Sequence, residues 1–494
     1  MTSLTIVPLA YHPDSSPLFS VIRTLPQPVF LDSGKPYAQQ GRYDIISAAP
    51  IAIITDHRDS PTPDHYFKRL AQALAQLDSN VDNPQQLPFI GGAIGYFSYD
   101  LGRQLQALPS HTINDSQLPI AIAGIYSWAI INDHQLQQTL LVAHPQADPD
   151  LIAEVQGLLT HAIETPTLES AANETPTSPL TRHPQQAANK SANKTPTASL
   201  TNKTPTTSLT RAGFSLSQPF SPNTSKAEYQ QAFTQVQRYI QAGDCYQINL
   251  TQRFSAPYQG DPWQAYQLLR PITAAPFSAY LELAEQPILS LSPERFIQCI
   301  GDKVSTAPIK GTRKRSSDPK QDQALAQELI NSSKDRAENL MIVDLLRNDL
   351  GKNCQPGSIK VEKLFELQSF ETVHHLVSTI NGTLNPNTSA LDLLAGAFPG
   401  GSITGAPKKR AMEIIEELEN YRRSVYCGSI GYISCDGHMD TNIAIRTLIC
   451  QQQQIYCWAG GGIVADSQCE DEYQECFSKV GKMLSCLEQT TQID

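Results

Sequence analysis

Cysteine is missing from the first 244 residues of this 494-residue chain: all ten cysteines lie at or beyond Cys245, and none forms a Cys-x-x-Cys pair. A disulfide framework or a thiolate metal site is therefore weakly supported, and reduced thiols in a cytoplasmic chain are the simpler account. No apolar run approaches the length of a membrane span. The opening MTSLTIVPLAYHPD has no basic stretch followed by an apolar one, so no secretory signal is read there. Positive charge is also scarce. Lys and Arg number 37 against 48 Asp and Glu, a net charge of −11, with a pI near 5.5. That excludes a nucleic-acid or membrane-surface role for the chain as a whole and confines any anion site to a local basic pocket.

Hydrophobic residues make up 40% of the chain, enough for a sizeable core. The length favours two domains or one large composite. One segment cannot join that core. From about 164 to 223 the composition is Thr, Pro, Ser, Asn and Ala, with a decaying repeat: NETPTSPLTR (173–182), NKTPTASLT (193–201) and NKTPTTSLTR (202–211). Each unit carries a proline and lacks apolar periodicity, which reads as a linker or insertion over 161–222. It separates an N-terminal region, 1–160, from a C-terminal region, 223–494. Strand-like runs (29–33, 44–55), a helix-like run (65–78) and the glycine-rich FIGGAIGYFSYDLGR (89–103) mark the first region. In the second, Ser225-x-x-Glu228 is a capping-box signature that opens a helix stopped by Gly243. CYQINLTQRF alternates, with Tyr246, Ile248 and Leu250 on one side and Gln247, Asn249 and Thr251 on the other. Strands and helices then mix without a βαβ period, which predicts an α+β fold with antiparallel sheets.

The residues with most chemistry lie in PIKGTRKR (308–315). Lys310 stands between a turn-forming proline and a permissive glycine, followed by Arg313, Lys314 and Arg315. Like charges disfavour an ammonium, so this crowding predicts a lysine that gives up its proton easily and can act as a nucleophile. A basic surface loop is the competing account. DRAENLMIVDLLRNDLG (335–351) predicts a helix with Glu338 in its first turn, either a capping residue or a metal ligand. A second helix near 470–488 carries Glu475 and Lys479 four apart, either a surface ion pair or part of a site. Two carboxylates with no thiol or histidine suit Mg²⁺. FPGGSITGAPK (398–408) and AGGGIVADS (459–467) are two glycine-rich stretches that could cradle an anion with backbone donors. Glu294 ends a buried-looking strand, where a carboxyl with a raised pKa could serve as a general acid; a salt bridge to Arg295 is the alternative. His375, Tyr432 and Arg446 stand singly.

The order of these pieces resembles one family, the chorismate-utilising enzymes, which includes anthranilate synthase large subunits, isochorismate and salicylate synthases and aminodeoxychorismate synthase large components. The resemblance is dense over 223–494 and fainter over 1–160, where FIGGAIGYFSYDLGR and GRYDIISAAP still match. It implies a composite antiparallel β-sandwich with outer helices. Family members that activate water carry lysine at the position of Gln247, and anthranilate synthases carry alanine at that of Lys310. Gln247 with Lys310 therefore resembles the aminodeoxychorismate branch, which makes 4-amino-4-deoxychorismate for 4-aminobenzoate and folate synthesis.

The resemblance implies Lys310 as nucleophile, Glu294 as acid/base, and Glu338 and Glu475 as Mg²⁺ ligands. It implies substrate contacts at Gln247, Thr312, His375, Thr404, Tyr432, Arg446, Gly460, Gly461, Gly462 and Lys479. It also implies a tryptophan pocket at Ser33, Arg42, Tyr43, Pro276, Phe277 and Ser278, although the stretch before Arg42 departs from the pattern at Gln40-Gly41. No amidotransferase segment with Cys, His and Glu is read, so ammonia is expected from a separate glutaminase subunit. Anthranilate synthase, and a catalytically silent subunit that only binds chorismate or tryptophan, are the alternatives. Lys310 speaks against the first, and the full set Lys310, Glu294, Glu338 and Glu475 against the second.

Overall fold

The computed structural model describes residues 2–57, 63–164, 213–370 and 373–490. Ser225 caps helix α1 (Lys226–Ala242) as its sequence predicts: the hydroxyl accepts from the Glu228 amide, Glu228 returns the bond, and Gly243 ends the helix at φ 82°. Strands β1 (Gln247–Gln259) and β2 (Ile309–Lys314), helix α2 (Ser333–Gly351), strand β3 (Val373–Thr383), helix α3 (Lys408–Leu418), strand β4 (Gln454–Ile463) and helix α4 (Cys469–Glu488) follow. The alternation read over 246–251 is altered by its setting. Tyr246 precedes the strand and is 70% exposed, whereas residues 247–254 are buried on both sides. β1 lies inside a sheet with helices packed on it, so a polar residue there must find a partner rather than water.

Two large sheets organise the described residues, and every pairing inside them is antiparallel. One runs from β1 through β4, Thr447–Gln451, Ile288–Ser292 and Phe277–Leu281 to Val29–Asp32, Tyr43–Ser47, Trp128–Asp133, Gln138–Ala143 and Thr5–Leu9. The other runs from β2 through β3, Lys303–Thr306, Arg295–Ile300, Met439–Asn442 and Ser429–Ser434 to Gly92–Phe97, Ala121–Tyr126 and Ala52–Asp56. The regions expected as separate, 1–160 and 223–494, therefore share both sheets. Leu31 pairs with Ala279, and Gly95 with Gly431. A single apolar core runs through both, from Phe19 to Leu487.

The expected linker changes at its edges. Residues 165–212 lie outside the described residues. Helix Pro149–Glu164 extends to its start, and Ser215–Leu216 and Ser221–Pro222 already pair with β1, so strand pairing begins before 223. The helix expected over 65–78 spans Pro63–Leu74.

The chain crosses between the sheets at two places that bear on the site. Glu294 lies between Ile288–Ser292 of the first sheet and Arg295–Ile300 of the second; Arg446 lies between Met439–Asn442 of the second and Thr447–Gln451 of the first. The two crossings are tied together: the Leu291 amide donates to the Arg446 carbonyl at 3.0 Å, and the Ile443 amide to the Glu294 carbonyl at 3.0 Å.

Candidate active site

Lys310 projects from β2 into a ring of acids. Its Nζ lies 3.0 Å from Glu338 Oε1 on α2 and 3.3 Å from the Ser402 carbonyl. Burial alone would lower its pKa, but Glu338, Glu294 and Glu475 outweigh it and hold the amine above the ordinary lysine value. The expected crowding by arginines does not occur. Arg313 turns to Glu328 and Asp335 at 2.8 and 3.1 Å, and Arg315 to Asp322 at 2.8 Å. Those acids come from the helix Pro319–Asn331 and the start of α2, elements that a reading of 308–315 alone cannot supply. Gly311, at φ 80°, makes the bulge that separates these faces: an added Cβ would lie 2.9 Å from Leu329 Cδ1 and 3.0 Å from Asp335 Cβ.

Glu338 is not the cap of its helix. Ser332 takes that role, accepting from the Asp335 amide at 3.2 Å. Burial opposes ionisation of Glu338, but Lys310 beside it keeps its pKa below the usual carboxylate range. Glu294 differs: burial pushes its carboxyl up, with Lys310 and Ser402 only partly offsetting this. The alternative bridge to Arg295 is not made, since Arg295 binds Asp440 at 2.9 Å. A raised carboxyl and a depressed one around one lysine is the division of labour that acid/base chemistry needs.

Glu475 pairs with Lys479 at 2.7 Å, and Lys479 Nζ also donates to the Gly460 carbonyl at 2.8 Å. Gly460, Gly461 and Gly462 are strand residues of β4 paired with Thr251, Leu250 and Asn249, not the backbone nest expected from their sequence. Their need is close approach. A Cβ at Gly461 would lie 3.0 Å from Glu472 Oε2 and 3.2 Å from Glu475 Oε1; one at Gly462 would lie 2.1 Å from Gln247 Nε2 and 3.1 Å from Glu338 Oε1. The other glycine-rich stretch forms a tight turn at Gly401–Ile403 and a short pairing of Gly405–Ala406 with β1, and its Ser402 carbonyl accepts from Lys310.

Glu472 was missed by the sequence reading. It is 3% exposed; Oε1 accepts from the Ser467 hydroxyl at 2.6 Å, and Oε2 is buried with no partner. Its signal was the spacing: Glu472 and Glu475 stand three apart on one helix face. An orphaned buried carboxylate oxygen beside Glu475, under glycines that leave room, fits a hard divalent cation. Each expected ligand is currently matched to a lysine, Glu338 to Lys310 and Glu475 to Lys479. Among the described residues, no group of three or more His, Cys, Asp or Glu side chains has ready-made metal-binding geometry.

On the other side, the Thr312 hydroxyl bonds His375 Nδ1 at 2.9 Å. Arg446 is half-buried near His375 and has no acidic partner among the described residues; burial holds its pKa below the ordinary arginine value. A partly buried guanidinium without a counter-ion is a receptor for a carboxylate. Thr404 is fully buried and donates its hydroxyl to carbonyls of its own turn, Gly400 at 3.1 Å and Gly401 at 3.3 Å. Gln247 approaches Glu338 through Nε2 at 3.4 Å, and its Oε1 is buried and unpartnered.

Burial and Arg446 lower His375 to about 4, so it is neutral when folded. Unfolded, it titrates near 6.5. The unfolded state therefore binds the extra proton between these values. The stability involved is complete above pH 6.5 and is lost as pH falls toward 4, by roughly 3 kcal/mol. Urea unfolding from pH 7 to 4 should show a steeper loss in the wild type than in His375→Gln, and parallel curves would contradict the assignment.

A second cavity, of about 1020 Å³, is lined by Arg42, Tyr43, Pro276, Phe277 and Ser278, and also by Tyr432. Tyr432, expected at the substrate, thus stands in the wall of this second cavity, edge-on to Phe89. The Arg42 guanidinium covers the Tyr43 ring at 4.5 Å and pairs with Asp133 at 2.9 Å. Ser33 is buried next to the wall residue Asp32, with its amide and hydroxyl both given to Asp44 at 2.8 and 2.6 Å.

Two large antiparallel sheets shared by both ends of the chain, with Glu294 and Arg446 where the chain passes between them and Lys310 among glutamates from flanking helices, form a chorismate-binding fold, and the chain belongs to the family of chorismate binding enzymes, which matches residues 28–485. Within that family, it is 43% identical over 497 residues to aminodeoxychorismate synthase component 1 of Salmonella typhimurium, covering 98% of this chain and 99% of the relative. Anthranilate synthase component 1 of Thermus thermophilus is 35% identical, covering 84% of this chain and 80% of that one. The crystal structure of anthranilate synthase component I from Streptococcus pneumoniae superposes with a TM-score of 0.72 at 27% identity, covering 90% of this chain and 93% of that one.

Proposed function

We propose that this chain is the large component of an aminodeoxychorismate synthase, which converts chorismate and ammonia to 4-amino-4-deoxychorismate. The observation that carries the reading is Lys310, set among Glu338, Glu294 and Glu475, on the strand whose Thr312 bonds His375 beside the unpaired Arg446. Once its ammonium has lost a proton, the neutral Lys310 amine adds to ring carbon 2 while the 4-hydroxyl leaves as water with the proton that Glu294 donates, and the adduct nitrogen then passes its extra proton to the Glu294 carboxylate. Ammonia attacks carbon 4, the carbon 2–nitrogen bond breaks, and the departing lysine nitrogen takes that proton back from Glu294. Two easier displacements replace one difficult one. Arg446 and the His375–Thr312 pair bind and orient the substrate's carboxylate and oxygen groups.

Gln247 supports the amination reading over a hydrating one, because an amide cannot take a proton from water as a lysine would. Glu338 and Glu475, with Glu472 beside them, would hold Mg²⁺. When bound, that ion neutralises the ring carboxylate. Ammonia comes from a partner glutaminase. The second cavity, with Arg42, Tyr43 and Pro276–Ser278 on its wall, is read as an amino-acid pocket suited to tryptophan.

With chorismate, an ammonium salt and Mg²⁺, the chain should form aminodeoxychorismate that keeps its enolpyruvyl group. Release of pyruvate with fluorescent anthranilate as the main product would favour the anthranilate synthase reading instead. Mass spectrometry of the product distinguishes them.

A further inference from the structure

The turn at 400–405 touches both proposed catalytic groups: the Ser402 carbonyl receives the Lys310 amine, and the Ser402 side chain bonds Glu294. That turn is clamped from its far side by a buried arginine. Arg423, 1% exposed, donates from Nη1 to the Ile403 carbonyl at 3.0 Å and from Nη2 to the Asn249 carbonyl. Its Nε and Nη2 also reach the two oxygens of Glu419, at 2.9 and 2.6 Å. Asn249 completes the clamp. Its side chain donates to the same Ile403 carbonyl at 3.0 Å, and its amide to the Thr404 carbonyl at 2.9 Å. Glu419 is fixed in turn by the amide and hydroxyl of Thr251, both at 2.9 Å.

We propose that Arg423 is a positioning residue for the reaction: its guanidinium fork locks the 400–405 turn to β1, so that Ser402 sets the Lys310 amine and the Glu294 carboxyl against one substrate. The assignment rests on the chorismate reading above. A guanidinium suits the task because it donates along several fixed directions in one plane, which an ammonium cannot do. The buried Arg103–Glu416 pair provides a matched comparison. It is bonded at 2.7 Å, and its glutamate lies in the last turn of helix α3, which Glu419 caps, but it serves the 109–112 segment rather than the 400–405 turn.

The test compares Arg423→Lys, Asn249→Ser and Arg103→Lys with the wild type, using chorismate and ammonium as substrates. R423K should lower kcat about 10-fold or more, with the KM for chorismate within about 3-fold, since displaced catalytic groups weaken the transition state more than binding. N249S removes only one donor to Ile403 and no charge, and should show the same split at smaller amplitude. This second variant keeps the test valid if R423K fails to fold. R103K, with a comparable loss of thermal midpoint, should hold kcat within about 2-fold. Wild-type kcat in folded R423K and in N249S, or an equal loss in R103K, would overturn the positioning role while leaving the chorismate reading intact. A wild-type chain that does not turn over chorismate would overturn both.

Discussion

Lys310→Ala should abolish the covalent adduct and cut aminodeoxychorismate formation by on the order of 100-fold or more, the scale at which a removed catalytic group acts. Rapid quenching of the wild type during turnover should trap added mass on the peptide that holds Lys310, and the alanine variant should show none. Turnover need not vanish, because ammonia can then attack carbon 2 directly, and the product should drift toward anthranilate. Lys310→Arg should be worse than alanine, since a guanidinium fills the space, stays protonated and cannot attack. The acids around Lys310 sharpen this expectation. With Glu338 at 3.0 Å, the amine is held in its charged form, and it becomes a nucleophile only once those carboxylates are otherwise engaged. An alanine variant that makes aminodeoxychorismate at the normal rate would leave Lys310 as an electrostatic contact.

Glu338→Gln and Glu475→Gln should each reduce activity by about 10- to 100-fold and raise the Mg²⁺ concentration needed for half-maximal rate, because Mg²⁺ strongly prefers charged oxygens. Glu475→Gln should leave the thermal midpoint nearly unchanged, whereas Glu338→Gln takes the nearest counter-charge from a buried lysine and should lower it. Ser332, not Glu338, caps α2, and the Glu475–Lys479 pair is half-exposed at 44% on each side chain, where an ion pair stabilises little. A metal titration of activity beside a thermal melt separates the two effects. If both variants reach wild-type rates at saturating Mg²⁺, these glutamates are structural ion-pair partners of Lys310 and Lys479.

What the chain disclosed beforehand was mostly local. The capping box at Ser225, the strand after it, Lys310, and the acids at Glu338 and Glu475 were legible from spacing and from the family pattern. What it concealed depends on partners distant in sequence. Arg313 and Arg315 look like neighbours that would depress Lys310, but the acids that draw them away arrive with the helix Pro319–Asn331 and with Asp335. Three successive glycines read as a loop, yet β1 runs beside them, and an added Cβ at Gly460 would meet the Leu250 carbonyl at 2.2 Å. Tyr432 sits in a strand of the second sheet, and only the pairing of that strand with Gly92–Phe97 shows that it belongs to the other cavity. Glu472 was hidden because an acid in the first turn of a helix is an ordinary sight.

The sharing of both sheets by the two ends of the chain also governs how the protein is born. Val29–Asp32 emerges from the ribosome about 250 residues ahead of its partner Phe277–Leu281, and Gly92–Phe97 more than 330 residues ahead of Ser429–Ser434. At the usual 5–20 residues per second, those apolar strands wait roughly 10 to 70 seconds with an open edge. Translation speed and holdase chaperones therefore bear on the yield of this enzyme as directly as any bond in its finished core.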